Sequence, residues 1–497
     1  MKNRTPFWKT INGLTQAELK DRLNEVRPSV TNEDVLWSTL GVSKISDWYA
    51  LLDLTEHHML GEELLIWILE CLISFHADWI MNAEEWYLPN LNLSKLPQNI
   101  SKLSNLRCLI LSGNNFEYFP KQLSEVPLLK KLDLSMNNIK ALPKNWGTLN
   151  TLEELHLSEN QISVLPMEMG GLSNLKHLSI WGNQISQLPV ELGGLPLRHF
   201  NISHNELSQF PLCLAQLSNL RHLNLSFNQL DEIPNWIQEM SQLEVIHLAY
   251  NCLHELPHGI TRLTRLQSLL VQENRIVKLP AEMGQLSNLK DLDLQNNQIT
   301  SLPSGLTTIR IDEKQWIEIS KTFETLLSLT HISFVGAELT ALPPSVCGLS
   351  NLQVLDLTSN KLHTLPEEMV QLTSLRTLDL TDNQFTHLPD SVYTLERLEE
   401  LILESNHIRT IDDTILKLSR LNDLNFMNNM LTRLPKTLVC LPVLKKLNVA
   451  ENPLESPLPE FQQLLQLTEL IIDMDILSER IIHQLEQELP NAIIITL

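Results

Sequence analysis

The sequence lacks the cysteine patterns that mark several large classes of protein. Its six cysteines are scattered, and no two of them form a CxxC pair or a terminal cluster. Clustered cysteines are typical of disulfide-stabilised extracellular domains and of zinc sites. The N-terminal stretch MKNRTPFWKTINGLTQAELK also lacks the apolar core of a secretory signal. We therefore expect reduced thiols in a cytoplasmic protein that holds no metal and no cofactor.

The chain is poor in basic residues. It has 37 Lys and Arg against 59 Asp and Glu, which gives a formal net charge of −22. Nucleic acids and anionic membranes are bound by clustered Lys and Arg, so neither is expected as a partner. The longest apolar run lies within Glu62–Ile80. A membrane span is one interpretation of this run, but several charged residues interrupt it, which favours a core helix of a small capping domain.

Catalytic motifs are also missing. The sequence contains no phosphate-binding GxxxxGK[ST] loop, no GxSxG nucleophile elbow and no kinase motif set. Residues His254 to His258 match HExxH, but Pro257 interrupts the helix on which a zinc protease places both histidines. We predict that the protein is not an enzyme. Chemistry confined to residues 1–85 or to an insertion after residue 303 is the alternative.

What the sequence does contain is a recurring nine-residue frame, LxxLxLxxN, whose positions we number 1 to 9. It reads LRCLILSGN from Leu106, LKKLDLSMN from Leu129 and LEELHLSEN from Leu152. The step between frames is 23 residues almost everywhere, with one step of 22 and one of 40. Position 9 is occupied by Asn114, Asn137, Asn160, Asn183, Asn205, Asn228, Asn251, Asn274, Asn297, Ala337, Asn360, Asn383, Asn406, Asn429, Asn452 and Asp475.

The spacing of Leu, Asn and Pro predicts the structure of each repeat. The frame leucines point inward from a short strand, and the Asn side chain both donates to and accepts from turn backbone. Stacked Asn residues then form a ladder, and loss of one leaves groups unpaired at about 1–3 kcal/mol. Leu-Pro pairs such as Leu142-Pro143 and Leu165-Pro166 follow most of these Asn residues. Because Pro suits neither a helix interior nor a strand ladder, the opposite side is predicted to be extended or 3₁₀.

The 23-residue Leu-Pro form, as in LSNLKDLDLQNNQITSLP, resembles the Ras-group and plant-intracellular-type leucine-rich repeats. The resemblance covers residues 86–475, about four-fifths of the chain. It implies an α/β solenoid, a horseshoe with a parallel concave β-sheet, and a protein-binding role. We divide the chain into a helical N-terminal capping domain (1–85), two solenoid halves (86–303 and 329–475), an insertion (304–328) and a C-terminal cap (476–497).

The insertion and the termini depart from the repeat. In the insertion, Asp312 is predicted to cap a helix that runs through Trp316, Ile319 and Phe323. This segment is interpreted either as a partner-binding projection or hinge, or as a loop expansion packed on the convex side. Six of the ten tryptophans fall in the first 86 residues, which suits a compact domain that covers the first repeat.

Positions 3, 5, 7 and 8 are predicted to face the concave side and to carry the binding residues. In the first half they form an aromatic and histidine-rich patch across adjacent strands. Exposed aromatics on a rigid sheet are typical interface anchors, although histidine also suits crowded strands. A metal site of adjacent histidines lacks a completing carboxylate or Cys column. The patch consists of His156, His177, Trp181, His199, His204, His222, Phe227, His247 and Tyr250.

The same positions in the second half are acidic, with twelve acids against one base, Lys446. Two interpretations are open. The acids either maintain solubility as a solvated face or attract a protein partner with a basic surface. The acids are Glu273, Asp291, Asp293, Asp356, Asp379, Asp382, Glu400, Glu404, Asp423, Glu451, Glu469 and Asp473.

From these features we predict a non-enzymatic scaffold that binds a protein partner on its concave face. The alternative is an effector or signalling sensor whose N-terminal helical domain acts after the repeats bind a ligand.

Overall fold

The structure is a computed structural model. It describes residues 62–74, 78–145, 149–321, 326–455 and 466–473, the single residues 464 and 489, and 492–496. The chain divides into two compact units, residues 1–252 and 253–497. Both units are repeat solenoids in which short strands pair in parallel with the strand of the next repeat.

In the first unit each strand covers frame positions 3 to 5, as the sequence predicts. Position 4 of every strand lies in the apolar core, while positions 3 and 5 are half-buried in most strands. The register is constant, so that position 3 pairs with position 3 along the sheet. The strands are β1 Glu85–Tyr87, β2 Cys108–Ile110, β3 Lys131–Asp133, β4 Glu154–His156, β5 His177–Ser179, β6 His199–Asn201, β7 His222–Asn224 and β8 Val245–His247.

The second unit continues the pattern with eleven described strands. They are β9 Ser268–Leu270, β10 Asp291–Asp293, β11 Thr308–Arg310, β12 His331–Ser333, β13 Val354–Asp356, β14 Thr377–Asp379, β15 Glu400–Ile402, β16 Asp423–Asn425, β17 Lys446–Asn448, β18 Glu469–Ile472 and β19 Ile493–Thr496. The last strand pairs in parallel with β18 and is the described part of the predicted C-terminal cap. Residues 474–488, 490 and 491 lie outside the described residues.

The Asn side chains of position 9 form the predicted ladder. In a typical rung, Asn160 Oδ1 accepts the N–H of Ile139 at 2.9 Å, two residues after the Asn of the preceding repeat. Its Nδ2 donates to the carbonyls of Leu134 and Leu157, both at 3.0 Å. The amide therefore forms hydrogen bonds with buried backbone groups of two adjacent repeats. A strand of three residues is too short to supply partners for these groups.

The Leu-Pro segments lead into 3₁₀ turns, which confirms the prediction for the side opposite the strands. In most repeats the Pro is extended and directly precedes the first 3₁₀ residue, because it lacks an N–H and has its φ fixed near the required value. The 3₁₀ segments of five residues are Lys121–Glu125, Met167–Gly171, Val190–Gly194, Leu212–Gln216, Asn235–Glu239, His258–Arg262, Ala281–Gln285, Pro344–Gly348, Glu367–Gln371, Asp390–Thr394, Asp413–Lys417 and Lys436–Cys440.

The insertion at 304–328 is part of the sheet rather than a loop beside it. Its residues Thr308–Arg310 form β11, which pairs in parallel with β10 and β12. A helix, Glu313–Ile319, follows this strand, and Asp312 caps it as predicted, in a capping box with Gln315. Phe323 lies outside the described residues. The segment is an irregular repeat in which a helix takes the place of the Asn turn.

Gln315 and Asp312 replace the ladder contacts that this repeat lacks. Gln315 Nε2 donates to the carbonyl of Leu294 at 2.7 Å, as a position-9 Asn does in other repeats. Asp312 Oδ2 accepts the N–H of Asn296 at 2.8 Å. Trp316 is fully buried, and its indole N–H donates to Ser345 Oγ at 2.9 Å. The segment therefore packs into the second unit.

Before β1, two helices are described, Glu62–Ser74 and Asp78–Met81. The single helix expected over residues 62–80 is present in these two parts, and residues 75–77 between them lie outside the described residues. Glu62 Oε1 accepts the N–H of Ser94 at 2.5 Å, and the Glu70 carbonyl accepts from Asn99 Nδ2 at 2.9 Å. The helix therefore contacts the first repeats, as expected of a cap. Residues 1–61, with most of the predicted capping domain, lie outside the described residues.

Candidate functional site

The outward face of the first unit carries a stack of histidine rings. His177, His199 and His222 occupy position 3 of three adjacent repeats, and the constant register places them side by side. Adjacent ring centroids are 4.3 Å apart in both pairs, with interplanar angles of 11° and 21°. His156 and His247 of position 5 help to line the same cavity of about 270 Å³. The structure thus brings these five predicted residues together.

Burial disfavours the charged form of two of the stacked rings, His177 and His199. Partial burial lowers the pKa of His177, and the carboxylate of Glu154 opposes this effect. Burial also lowers the pKa of His199, with further contributions from the neighbouring imidazoles of His222 and His177. A neutral imidazole offers one donor and one acceptor nitrogen, so the lowered pKa of His177 and of His199 favours polar, uncharged rings at these two positions.

A second stack contains the predicted aromatic residues. Trp181, His204, Phe227 and Tyr250 come from four adjacent repeats. The ring centroids are 6.2 Å apart for Trp181 and His204, 3.9 Å for His204 and Phe227, and 4.1 Å for Phe227 and Tyr250. Phe227 is 40% exposed and Tyr250 is 45% exposed. The stack therefore presents a continuous apolar strip to solvent.

Three members of this strip occupy a backbone conformation that bulky residues avoid. Position 8 is left-handed in the described repeats, and φ is 51° for His204, 54° for Phe227 and 54° for Tyr250. Gly182 fills the same position at 69°. A left-handed residue with a Cβ costs about 1–2 kcal/mol, and Gly and Asn relieve most of that cost. The turn itself therefore does not explain the aromatic rings at 227 and 250.

The prediction that position 7 faces outward is wrong for the neighbours of Trp181. Ser158, Ser203, Ser226 and Ala249 hold this position and are at most 7% exposed. The chain enters the Asn turn here, and these small side chains are covered by their surroundings. Trp181, with a larger side chain at the same position, is half-buried.

In the second unit several predicted acids bind their own turn. At position 5, Asp293, Asp356 and Asp379 each accept the backbone N–H two residues later, at 3.1, 3.0 and 2.9 Å. This Asx-type contact ends the strand, and Asn201 and Asn224 make it in the first unit. Asp293 is only 2% exposed, so it cannot serve as the predicted partner-binding residue. Burial raises its pKa to about 6.

The sequence also undercounted the basic residues of this face. Arg310 of β11 occupies a strand that the repeat frame did not reveal, and its Nη1 lies 3.4 Å from Asp293 Oδ2. Lys446 lies 3.8 Å from Asp423 and 3.9 Å from Glu469. Arg310 and the neutral residues of β12 therefore separate Asp291 from Asp356 and Asp379, so the acids do not form one continuous surface.

The remaining predicted acids are more accessible, but most of them contact neighbouring residues. Asp291 Oδ2 accepts from Ser268 Oγ at 3.2 Å, and Glu400 Oε2 accepts from Thr377 Oγ1 at 3.1 Å. Glu404 accepts from Asn425 Nδ2 at 3.1 Å, and Asp382 is exposed. These hydroxyl and amide donors stabilise the carboxylates one repeat away, so a solvated structural face accounts for many of them.

No grouping of His, Cys, Asp and Glu suited to a metal ion occurs among the described residues. At the HExxH match, Pro257 is extended and a 3₁₀ turn begins at His258. His254 precedes that turn, so the two histidines do not share a helical face. The six cysteines are free thiols.

Comparison with known families agrees with this geometry. A model described as leucine-rich repeat region matches residues 72–211 and 211–310, and a second, described as leucine rich repeat, matches 328–385 and 396–454. The chain belongs to the leucine-rich repeat family. A solved leucine-rich repeat protein of Leptospira interrogans is 30% identical to this one, with a TM-score of 0.52, and the match covers 84% of this chain and 98% of the other.

Two further solved structures are similar to this leucine-rich repeat protein. The ectodomain of the Arabidopsis thaliana receptor kinase GASSHO1, solved in complex with Casparian strip integrity factor 2, is 25% identical, with a TM-score of 0.43. That match covers 83% of this chain and 58% of the other. Internalin F of Listeria monocytogenes is 20% identical, with a TM-score of 0.44 and coverage of 71% and 89%.

No curated protein matches this leucine-rich repeat protein. Among the described helices, none is long and apolar enough to cross a membrane.

Proposed function

We propose that this leucine-rich repeat protein is a non-enzymatic recognition module that binds a protein partner on the outward, concave face of its first unit. The observation that carries the proposal is the aromatic strip of Trp181, His204, Phe227 and Tyr250. Exposed, stacked rings on a rigid sheet bury much apolar area at little cost in side-chain entropy, which is typical of interface anchors.

The strained backbone supports a binding role for the strip. Asn or Gly at positions 227 and 250 would relieve the left-handed residues, yet Phe and Tyr stand there. Contacts within the strip offset part of that cost, at about 0.5–1.5 kcal/mol for each aromatic pair. Closing the turn does not require aromatic side chains at these positions, whereas a partner-binding surface uses such side chains as anchors.

The test is affinity purification with the intact chain and a Trp181→Ala/Tyr250→Ala double variant. We expect the double variant to lose the partner, since removal of central aromatic anchors costs about 2 kcal/mol or more each. Leu212→Ala is the matched control. It removes a side chain that is 75% exposed, but from the 3₁₀ side of the repeats. Capture of the same proteins by the native chain and the double variant would contradict the proposal.

The acidic residues of the second unit have a smaller role in the proposed binding of the partner. We propose that Asp356, Asp379, Asp382, Glu400 and Glu404 contribute long-range attraction for a partner with a basic surface, rather than direct anchors, because most of them already accept internal hydrogen bonds. We also propose a cytoplasmic location, based on the scattered cysteines of the sequence, which form no CxxC pair. In the alternative, a signalling sensor, residues 1–85 would bind a second partner only after the first unit is occupied.

A further inference from the structure

A row of basic side chains borders the histidine cavity. Lys176, Arg198 and Arg221 hold position 2 of three adjacent repeats, directly before the three stacked histidines. The N–H of Arg198 donates to the carbonyl of Lys176 at 2.8 Å, and the N–H of Arg221 donates to that of Arg198 at 2.9 Å. The three side chains therefore leave the backbone about one strand spacing apart, ~4.8 Å.

The middle residue of this row differs from its two neighbours. Lys176 Nζ lies 2.5 Å from Glu153 Oε2, and Arg221 Nη1 lies 3.3 Å from Glu244 Oε1. The guanidinium of Arg198 makes no ion pair with any residue in the described part of the chain, and Arg198 is exposed. It is therefore a cation beside the cavity that is available to an external anion.

The floor of the cavity adds hydrogen-bond donors. Asn201 Oδ1 accepts the N–H of Ser203 at 3.1 Å, and Asn224 Oδ1 accepts the N–H of Ser226 at 3.0 Å. Since the oxygen of each amide is occupied by its own turn, the Nδ2 groups are the atoms left for a ligand. Both asparagines line the cavity beside the stacked rings. A carboxylate oxygen is the complementary acceptor for such donors.

The local charge near the histidine cavity is positive, although the whole chain is negatively charged, and this also favours an acidic ligand. In the four repeats between Leu175 and Asn251, positions 3, 5, 7 and 8 hold no Asp or Glu. Position 2 of these repeats holds three basic residues and Glu244, and Glu153 of the preceding repeat pairs with Lys176, which gives 3 − 2 = +1, whereas the chain carries −22. A basic partner segment would meet like charge at this site of the first unit, and a neutral segment would bury Arg198 without a counter-charge, at a cost in free energy.

We propose that the first unit binds a partner segment that contains both acidic residues and apolar residues, aromatic or aliphatic. An Asp or Glu carboxylate of this segment pairs with Arg198 over the histidine cavity. The apolar side chains of the segment lie on the aromatic strip. This inference rests on the proposed function, because it names the chemistry of the ligand at the same surface. Nucleic acid is the other polyanion that such a row could attract, but the excess of acids in the chain opposes it.

The experiment selects ligands from random sequences. A phage-displayed library of random twelve-residue peptides is panned on the intact chain, and clones that also bind the Trp181→Ala/Tyr250→Ala variant are discarded. The remaining peptides are synthesised with a fluorophore. Their affinities are measured by fluorescence anisotropy against the native chain and against Arg198→Gln, Arg198→Lys and Lys290→Gln. Lys290 is the matched control, an exposed basic residue at position 2 of a second-unit repeat.

We expect the selected peptides to be enriched in Asp and Glu together with apolar residues. Arg198→Gln should weaken their binding about tenfold, Arg198→Lys should weaken it about threefold or less, and Lys290→Gln should leave it unchanged. Replacing each peptide carboxylate by its amide should weaken binding to the native chain and abolish the effect of Arg198→Gln.

Two outcomes separate the proposals. Peptides that depend on the aromatic strip but are not enriched in acids, or that bind Arg198→Gln as tightly as the native chain, would overturn the acidic ligand and leave the proposed function intact. If panning yields no peptide that depends on the aromatic strip, the proposed binding surface and the acidic ligand both fail.

Discussion

The Asn ladder predicts a specific departure from additivity. The buried carbonyl of Leu157 accepts from Asn160 Nδ2 and from Asn183 Nδ2, both at 3.0 Å. In Asn160→Ala this carbonyl therefore keeps one donor. Only the N–H of Ile139 loses its hydrogen bond, because its single acceptor in the ladder is Asn160 Oδ1. One buried unsatisfied N–H costs about 1–3 kcal/mol, so we expect a loss of that size and not four separate hydrogen-bond losses.

Removal of two adjacent rungs should cost more than the sum of the single losses. Asn183→Ala alone strands the N–H of Ile162, which Asn183 Oδ1 accepts at 3.0 Å. In the double variant Asn160→Ala/Asn183→Ala, the Leu157 carbonyl loses both donors at a site that is 0% exposed. We expect an interaction free energy of about 1–2 kcal/mol beyond the two single effects.

The control is the pair Asn160→Ala/Asn205→Ala, because the carbonyls that Asn205 serves are those of Ile180, Ile202 and Ser203. None of these is shared with Asn160, so this pair should be additive within about 0.5 kcal/mol. The free energy of unfolding is measured from urea denaturation followed by circular dichroism, with hydrogen exchange at the Ile139 amide as a local probe. Equal interaction energies in the adjacent and the separated pair would refute the reasoning.

Three further predictions concern single positions. A Cβ at Gly170 would lie 2.6 Å from the Glu191 carbonyl oxygen, so Gly170→Ala should lower the free energy of unfolding by about 1–3 kcal/mol. A Cβ at Gly171 would meet nothing within 4 Å, so Gly171→Ala should leave the free energy of unfolding equal or higher. Because the folded pKa of Asp293 is raised from 3.8 to about 6, its contribution to stability falls as the pH rises through that range. Relative to the native chain, Asp293→Asn should therefore gain about 2–3 kcal/mol between pH 4 and pH 7 in urea titrations, and a difference independent of pH would contradict this. Gln315→Leu should cost about 1 kcal/mol, measured in the same way, because the Asp312 N–H loses its capping-box acceptor while the Leu294 carbonyl keeps Asn297 Nδ2 as a donor.

The repeat architecture was predictable because one frame sets both the strand and the turn. Leu at positions 1, 4 and 6 and Asn at position 9 specify inward packing and the ladder, and Pro after the Asn specifies the 3₁₀ side. The structure confirms these features in the repeats that keep the frame. The strand Thr308–Arg310 was missed because its repeat has a capped helix where the Asn turn belongs. Leu306, Ile309 and Ile311 keep the apolar spacing and were the available signal.

The face of the sheet was predictable only in part, because a pattern of alternation does not show what a side chain contacts. The histidine and aromatic residues do form continuous stacks, since the register is constant. At position 5, however, Asp and Asn share one role in the turn, which the sequence alone presented as surface charge. The recurrence of Asn201 and Asn224 at the same position as Asp356 and Asp379 was the sign that an acceptor oxygen, and not a charge, was required there.

The left-handed residue before each ladder Asn also has a consequence for how this surface changes over time. Random substitution at position 8 is biased by folding towards Asn or Gly, which relieve the backbone whichever repeat they occupy. Phe227 and Tyr250 stand against that bias in neighbouring repeats. Under the proposed function, selection for partner binding retains these two rings, and without that selection the aromatic strip would be lost before the leucines beneath it.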